Sequence, residues 1–466
     1  MEPRGFEIIA EREKGLRRGL STAQLSMIAI GGAIGTGLFL GSGFAIGFAG
    51  PSVLVSYAIG ALIALLLMGC LAEMVVAHPT SGSFGAYAEY YIGSWAGFMV
   101  RYAYWTSIVI AVGTEVTAIA VYMKYWFPGI PGWYWIVGFS GALMGINVVS
   151  VKVFGSVEYV FSMLKIAAIV AFIVLGAWMV AGAPSSSGIG LANYTAHGGF
   201  FPKGVWGMWV AVIVAIFSYL SIEMIAVAAG EASEPRQAVT RAFRATVLRL
   251  VLFYLLTLAL MLAIVPWTAA GTDQSPFVKV MVATHIPGAP GIINFVILMA
   301  ALSAMNSQLY ISTRMMFSLA RAGYAPRRLG QLNRHGVPVA ALLLSAIGIA
   351  LATVVNALHP DTSFILMMAI SLIAPMFTWF MIFVTHLFFR RRHRGEVLGF
   401  RMWGYPATSL LGAGLMLGAL LTTIFTREFR MTLLFGVPFL AALALAHRLW
   451  RRGRLQALGS EDQVLG

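Results

Sequence analysis

Apolar residues run along this chain in long, charge-poor stretches, at about 23–44, 51–76, 96–123, 132–151, 158–182, 205–229, 242–266, 291–318, 337–356, 363–389, 406–426 and 431–450. Each approaches or exceeds the roughly 20 residues a helix needs to cross the hydrocarbon of a bilayer. Strand-length alternation of apolar and polar positions is missing. A backbone in lipid must satisfy its amides within its own segment, so the pattern predicts helices and an all-α integral membrane protein with twelve transmembrane spans. The pieces between the runs are too short for a separate soluble domain. The longest are about 183–204, Ser/Gly-rich and read as a loop, and about 319–336, where Pro326 and Gly330 break up an arginine-rich connector. HPTSGSFGAYAEYYIG (78–93) is less polar than a plain loop and rich in tyrosine, so it predicts a short helix lying against the membrane face.

Two of the runs carry their own breaking points. In the first, GGAIGTGLFLGSG puts six glycines into thirteen residues from Gly31 to Gly43, and each interior glycine costs a helix about 1 kcal/mol relative to alanine. In the sixth, FSYLSIE (Phe217–Glu223) places two serines and a carboxylate near mid-membrane. The second interruption comes five spans after the first, so their segments run in opposite directions. That is the arrangement of an inverted repeat with discontinuous helices at matching positions. The expected organisation is a tail at 1–22, a first repeat at 23–182 (spans 1–5), a second at 205–389 (spans 6–10), spans 11–12 at 406–450 and a tail at 451–466.

If span 1 unwinds around Gly35, Thr36 and Gly37, the half-helix that follows presents free amides and the positive end of its dipole to a cavity. Glycine lets a ligand approach the backbone closely, and Thr36 adds a hydroxyl. Such a site suits a carboxylate. Carbonyls near Ala33, and near Phe217 and Leu220 in span 6, point the other way and suit an ammonium group. Together they describe a receptor for a zwitterionic amino acid. The competing reading is that the glycines serve close helix packing, since Gly31/Gly35 and Gly37/Gly41 have small-xxx-small spacing. The polar break in span 6 favours binding.

Three charges sit where lipid would exclude them. Lys165 lies about a third of the way into span 5. It either snorkels to the headgroups or faces a cavity, where burial would let it exchange a proton near neutrality. Glu223 lies beside the span-6 break and reads as a gating or proton-transfer group. Glu115, in span 3, reads as a structural carboxylate capping backbone freed by a break.

Composition agrees with a membrane solvent: 59% hydrophobic and 10% charged residues, with a mean hydropathy of +0.85, against about 25% charged in soluble domains. The net charge of +14 reports orientation rather than nucleic-acid binding. With the N-terminus inside, 23 of the 31 lysines and arginines fall in cytoplasmic segments, five on the opposite side and three within or near spans. This positive-inside bias predicts both termini in the cytoplasm, against anionic headgroups. Cys70 is the single cysteine, which excludes an internal disulfide and a cysteine metal cluster. The eight histidines show no metal spacing, no GxxxxGK[ST] phosphate loop is present, and the first apolar run lacks a cleavage site. A cofactor, a metal and a signal peptide are not expected.

MIAIGGAIGTGLFLGSG (27–43), the PTSGSFGAYAEYYIG loop, FSYLSIEMIAVAAGEASEP (217–235) and SAMNSQLYISTRMMFSLA (303–320) closely resemble bacterial amino acid permeases of the amino acid–polyamine–organocation superfamily, in its amino acid transporter branch. The resemblance covers almost the whole chain. It implies the inverted-repeat fold of the sodium-coupled leucine transporter, placement in the bacterial plasma membrane and proton-driven import by alternating access. By the same resemblance, Gly35, Thr36 and Gly37 hold the substrate carboxylate, and carbonyls of Ala33, Phe217 and Leu220 hold its amino group. Lys165 takes the place of a sodium ion near the span-8 hydroxyls Ser312 and Thr313, which argues against sodium coupling. Ser221 departs from the glycine many relatives carry, so it either narrows the pocket or adds a hydroxyl contact. Trp105, Ser107, Met305 and Asn306 are candidate lining residues. The expected cargo is neutral amino acids, with a cationic-amino-acid importer or an exchanger of the same fold as alternatives. The resemblance calls for no obligatory protein partner. An integral-membrane enzyme would need a cluster of His, Asp or Glu at one face, which the chain lacks, and a channel would conduct without saturating.

Overall fold

The computed structural model describes residues 4–12, 21, 23–24, 27, 34–149, 151–184, 187–229, 251–269, 274–396 and 398–464 of the chain. Within the first apolar run residues 25–26 and 28–33 (Ala33 among them) lie outside these, as do the EASEP motif and the start of the seventh run. Among the described residues all regular structure is helical, and ten helical stretches are long and apolar enough to span a membrane.

The sequence pattern and the helices agree closely where both can be compared. The third and fourth runs become Ser94–Lys124 and Gly132–Val149, the eighth Ala289–Arg321 and the eleventh Ala407–Phe425. The fifth helix, Val151–Gly182, begins seven residues before its apolar run, because Lys152 and Glu158 interrupt hydropathy without interrupting the helix. The final helix, Arg430–Val464, likewise continues beyond its apolar run into the basic tail. Gly37–Ala77 is counted as a single stretch of 41 residues. At about 1.5 Å per residue that is twice the thickness of the hydrocarbon, and the chain turns within it at Gly50–Ser52, where Gly50 has a φ of 60°. Of the seventh run, Val251–Ile264 is described as a shorter apolar helix. Two runs bend where the sequence reading had them straight: one divides into Val339–Ser345 and Ile347–Leu358, the other into Ser363–Ser371 and Ile373–Arg392.

The apolar helices sort into two environments. The most apolar window of Gly204–Ala228 is entirely buried and that of Ser94–Lys124 is 83% buried, whereas Gly132–Val149 and Arg427–Arg452 bury only 22%. A helix apolar all round belongs either inside the protein or against lipid; here the first pair forms the interior and the second the periphery. Exposed Val174, Trp178, Leu434 and Leu449 face outward from peripheral helices. Ser94–Lys124 is the centre post. It packs against Ala289–Arg321, against Ile347–Leu358, against both Ser363–Ser371 and Ile373–Arg392, and against the short helix Ser83–Tyr91, which forms inside the aromatic segment that predicted one.

The N-terminal segment, expected to be a plain charged tail, contains the helix Arg4–Arg12. Phe6, Ile9 and Ala10 recur at helical spacing. Phe6 is buried and stacks on His78 with ring centroids 4.3 Å apart, with Tyr90 meeting it edge-on at 5.4 Å.

Candidate functional site

The break foreseen in the sixth run faces Ile34 and Gly35 of the first. Gly204–Tyr219 stops where Leu220 swings to ψ 155° and Ser221 adopts a φ of 80°, and the helix resumes at Met224. A serine in the left-handed region is strained, and the turn is held by the Ser221 amide donating to Glu223 Oε1 at 3.2 Å. Across from it, Ile34 and Gly35 are non-helical and lead into a π-helical turn at Gly37–Gly41, a geometry frequent at functional sites. The two backbones touch. A Cβ on Gly37 would lie 2.7 Å from Ser218 Cα, and one on Gly35 would lie 2.9 Å from both Ala304 Cβ and Glu115 Oε1. No side chain fits at either place, so close packing and an exposed backbone, posed as alternatives by the sequence, coincide in the same residues.

Between the segments lies a cavity of about 20 Å³, room for a water or two. Gly35, Gly37, Phe217, Leu220 and Ser221 line it, as does Ser107. Glu115, Gln308, Ser218 and Ser371 add polar groups to its wall. Thr36 is buried beside it. Its amide donates to Glu115 Oε2 at 3.4 Å, and its hydroxyl has no hydrogen-bond partner among the described residues. Glu115 also accepts from Gln308 Nε2 at 3.5 Å, so this carboxylate caps freed backbone at the break. The Phe217 carbonyl already accepts from the Leu220 amide at 3.2 Å. Trp105 and Asn306 are not in the wall. Trp105 Nε1 donates to Ser345 Oγ at 3.1 Å, where the Val339 helix bends. Asn306 donates to Glu158 Oε2 at 3.2 Å and accepts from Asn147 Nδ2 at 2.8 Å. Met305 is fully buried.

Lys165 is fully buried, and its ammonium donates to the Ile34 carbonyl at 3.1 Å, immediately before Gly35. It does not snorkel. Ser312 and Thr313 are buried on Ala289–Arg321, and both donate to the Leu309 carbonyl of their own helix, at 3.0 and 2.6 Å. Glu223 is the hub of a separate cluster: Tyr104 Oη donates to Oε1 at 2.7 Å and Trp379 Nε1 to Oε2 at 3.1 Å. Sequence reasoning missed Glu158, a fully buried carboxylate that accepts from Ser303, Asn306 and Ser162. The signal was present, since Glu158 sits seven residues before Lys165 and so on the same helical face.

At one end of the central post, Glu89 joins three elements. It pairs with Arg101 at 2.6 Å and with Arg12 of the N-terminal helix. Arg101 Nε donates to Ser318 Oγ at 3.0 Å, and Arg321 Nε donates to the Arg12 carbonyl at 2.6 Å. Burial pushes the Glu89 carboxyl up, but the guanidiniums of Arg101 and Arg12 outweigh burial and hold it below its ordinary value.

A buried helix interrupted at Leu220–Glu223 and packed on the non-helical Ile34–Gly35 around a small polar cavity, encased in outward-facing apolar helices, is the build of a multi-pass membrane protein. The amino acid permease family matches residues 24–454, and the chain belongs to that family. It is 37% identical to the γ-aminobutyric acid permease of Bacillus subtilis (strain 168), over 97% of this chain and 98% of the relative. It is 39% identical to the aromatic amino acid transport protein AroP of Escherichia coli (strain K12), over 84% and 86%. An uncharacterized amino acid permease of Bacillus subtilis, YtnA, is 35% identical over 97% and 99%.

Proposed function

We propose that this chain imports neutral L-amino acids across the bacterial plasma membrane by alternating access, driven by the proton gradient and needing no other cofactor. Its twelve spans form two inverted five-helix repeats plus two appended helices, with both termini cytoplasmic. The substrate sits between the interrupted segments. Its carboxylate takes the backbone at Gly35, Thr36 and Gly37, and its ammonium the carbonyls on the Ala33 and Phe217–Leu220 side. The relatives named for γ-aminobutyric acid and for aromatic amino acids share those two end groups, which supports a site that reads both. The carboxylates near the cavity are engaged by protein donors, Glu115 by Thr36 and Gln308 and Glu223 by Tyr104, Trp379 and Ser221. That favours neutral over cationic side chains.

The observation that carries the coupling is the Lys165 ammonium on the Ile34 carbonyl at 3.1 Å. A charged ammonium binds a carbonyl more strongly than a neutral amine. Gain or loss of one proton therefore changes the hold on the backbone next to the substrate. Uptake of labelled amino acids into proteoliposomes, with and without an imposed pH gradient, tests this. Saturable uptake accelerated by external acid is expected; uptake that needs sodium and ignores pH refutes the coupling, and non-saturating flux refutes a permease.

A further inference from the structure

Resting on the proposed proton coupling through Lys165, we infer that Glu158 is the relay that takes the proton from Lys165 and passes it toward the cytoplasmic end of the fifth helix. The two side chains are seven residues apart on Val151–Gly182. That spacing is two turns on one face, about 10 Å of helix rise, and helical side chains lean toward the N-terminus, so the lysine leans toward the glutamate. Their charges interact, and Glu115 is the second carboxylate acting on the lysine. Glu158 itself is enclosed by its own helix, by Ser303 and Asn306 of Ala289–Arg321, and by Ser162, whose hydroxyl reaches the Met27 carbonyl.

That surrounding accommodates both protonation states of the carboxyl. As an anion, Glu158 accepts from Ser303 Oγ and from Asn306 Nδ2 at 3.2 Å. Ser162 Oγ lies 2.9 Å from the Met27 carbonyl and 3.3 Å from Glu158 Oε1, and has one hydrogen to give. When that hydrogen goes to Met27, the serine oxygen is left as an acceptor facing the carboxyl. A protonated Glu158 then donates to it, so the added hydrogen finds an acceptor. The transfer breaks one N–H bond at Lys165 Nζ and forms one O–H bond at Glu158, turning an ammonium and a carboxylate into an amine and an acid. Release to water at the inner mouth restores the carboxylate, and no oxidant or co-reactant is involved. A carboxylate needed only to bridge helices would be replaceable by an amide of the same shape, and the test exploits that difference.

Wild-type protein and Glu158→Gln are compared in proteoliposomes for gradient-driven uptake, for counterflow without a gradient, and for substrate-dependent acidification reported by a trapped dye. The expected result is a loss of roughly ten-fold or more in driven uptake and in acidification, counterflow within about two-fold of wild type, and partial rescue by Glu158→Asp. Equal driven uptake in wild type and Glu158→Gln overturns the relay alone, and so does parallel loss of driven uptake and counterflow, which marks a structural role. A wild-type protein indifferent to the gradient removes the coupling itself and the relay with it. Should Glu158→Gln not fold, Ser162→Ala reads the same ratio of driven uptake to counterflow: a fall supports the relay, and an unchanged ratio overturns it.

Discussion

Gly37→Ala is the sharpest probe of whether the two interruptions work as a pair. The added Cβ would sit 2.7 Å from Ser218 Cα and 3.2 Å from both its amide nitrogen and its hydroxyl. Carbon atoms rest at about 3.5–4.0 Å, so the segments must part by roughly 1 Å, and the nearest atom is backbone that cannot rotate away. Overpacking of this kind costs about 1–3 kcal/mol, from which the better helix propensity of alanine returns up to about 1 kcal/mol. A net cost of about 1–2 kcal/mol raises the substrate KM roughly five- to thirty-fold, with a lower melting temperature for the detergent-solubilised protein. Gly41→Ala is the matched control, because its Cβ would meet nothing closer than the Thr36 carbonyl at 3.6 Å, an ordinary contact. Initial uptake rates over a range of substrate concentrations measure both variants. If Gly37→Ala behaves like Gly41→Ala, the contact with Ser218 does not shape the site, and the reasoning from the paired breaks is refuted.

Lys165→Ala should abolish uptake driven by a pH gradient while counterflow persists; undiminished concentrative uptake, measured in the same vesicles, counts against its role. Tyr104→Phe removes the 2.7 Å donor to Glu223 and should cost about 1.5–3 kcal/mol, read as a lower melting temperature, and an unchanged melt means that Trp379 and Ser221 suffice. Because the Glu89 carboxyl is held below its ordinary value of 4.5, its ion pairs stabilise the fold above that pH and are lost as pH falls through the lowered value. Glu89→Gln should therefore melt below wild type at neutral pH and converge with it in acid; a constant difference between the two melting curves would contradict this.

Much of this architecture was legible in the sequence because lipid imposes a simple rule on hydropathy. The serines at 218 and 221 announced where the sixth helix stops, and Lys165 announced itself by costing too much in lipid. What a helical wheel does not give is which neighbour a face meets. Trp105 and Asn306 lie on interior faces as expected, yet one meets Ser345 and the other Glu158 rather than the cavity. Glu158 was passed over because it stands at the start of its apolar run, where a carboxylate reads as a solvated helix end; the approach of Ser303 and Asn306, 145 and 148 residues away in sequence, helps to bury it. The helix Arg4–Arg12 was hidden for the opposite reason. Its charges dominate the composition, while the weight of Phe6 shows only against the rings of His78 and Tyr90.

The Thr36 amide is not vacant: the Glu115 side chain already rests on it. Under the proposed binding mode, cargo arriving there would displace an incumbent, and the affinity it registers would be the margin between two rival acids for one port. A permease binding in that way would hold its passenger loosely, and whatever neutralises the incumbent would tighten the grip.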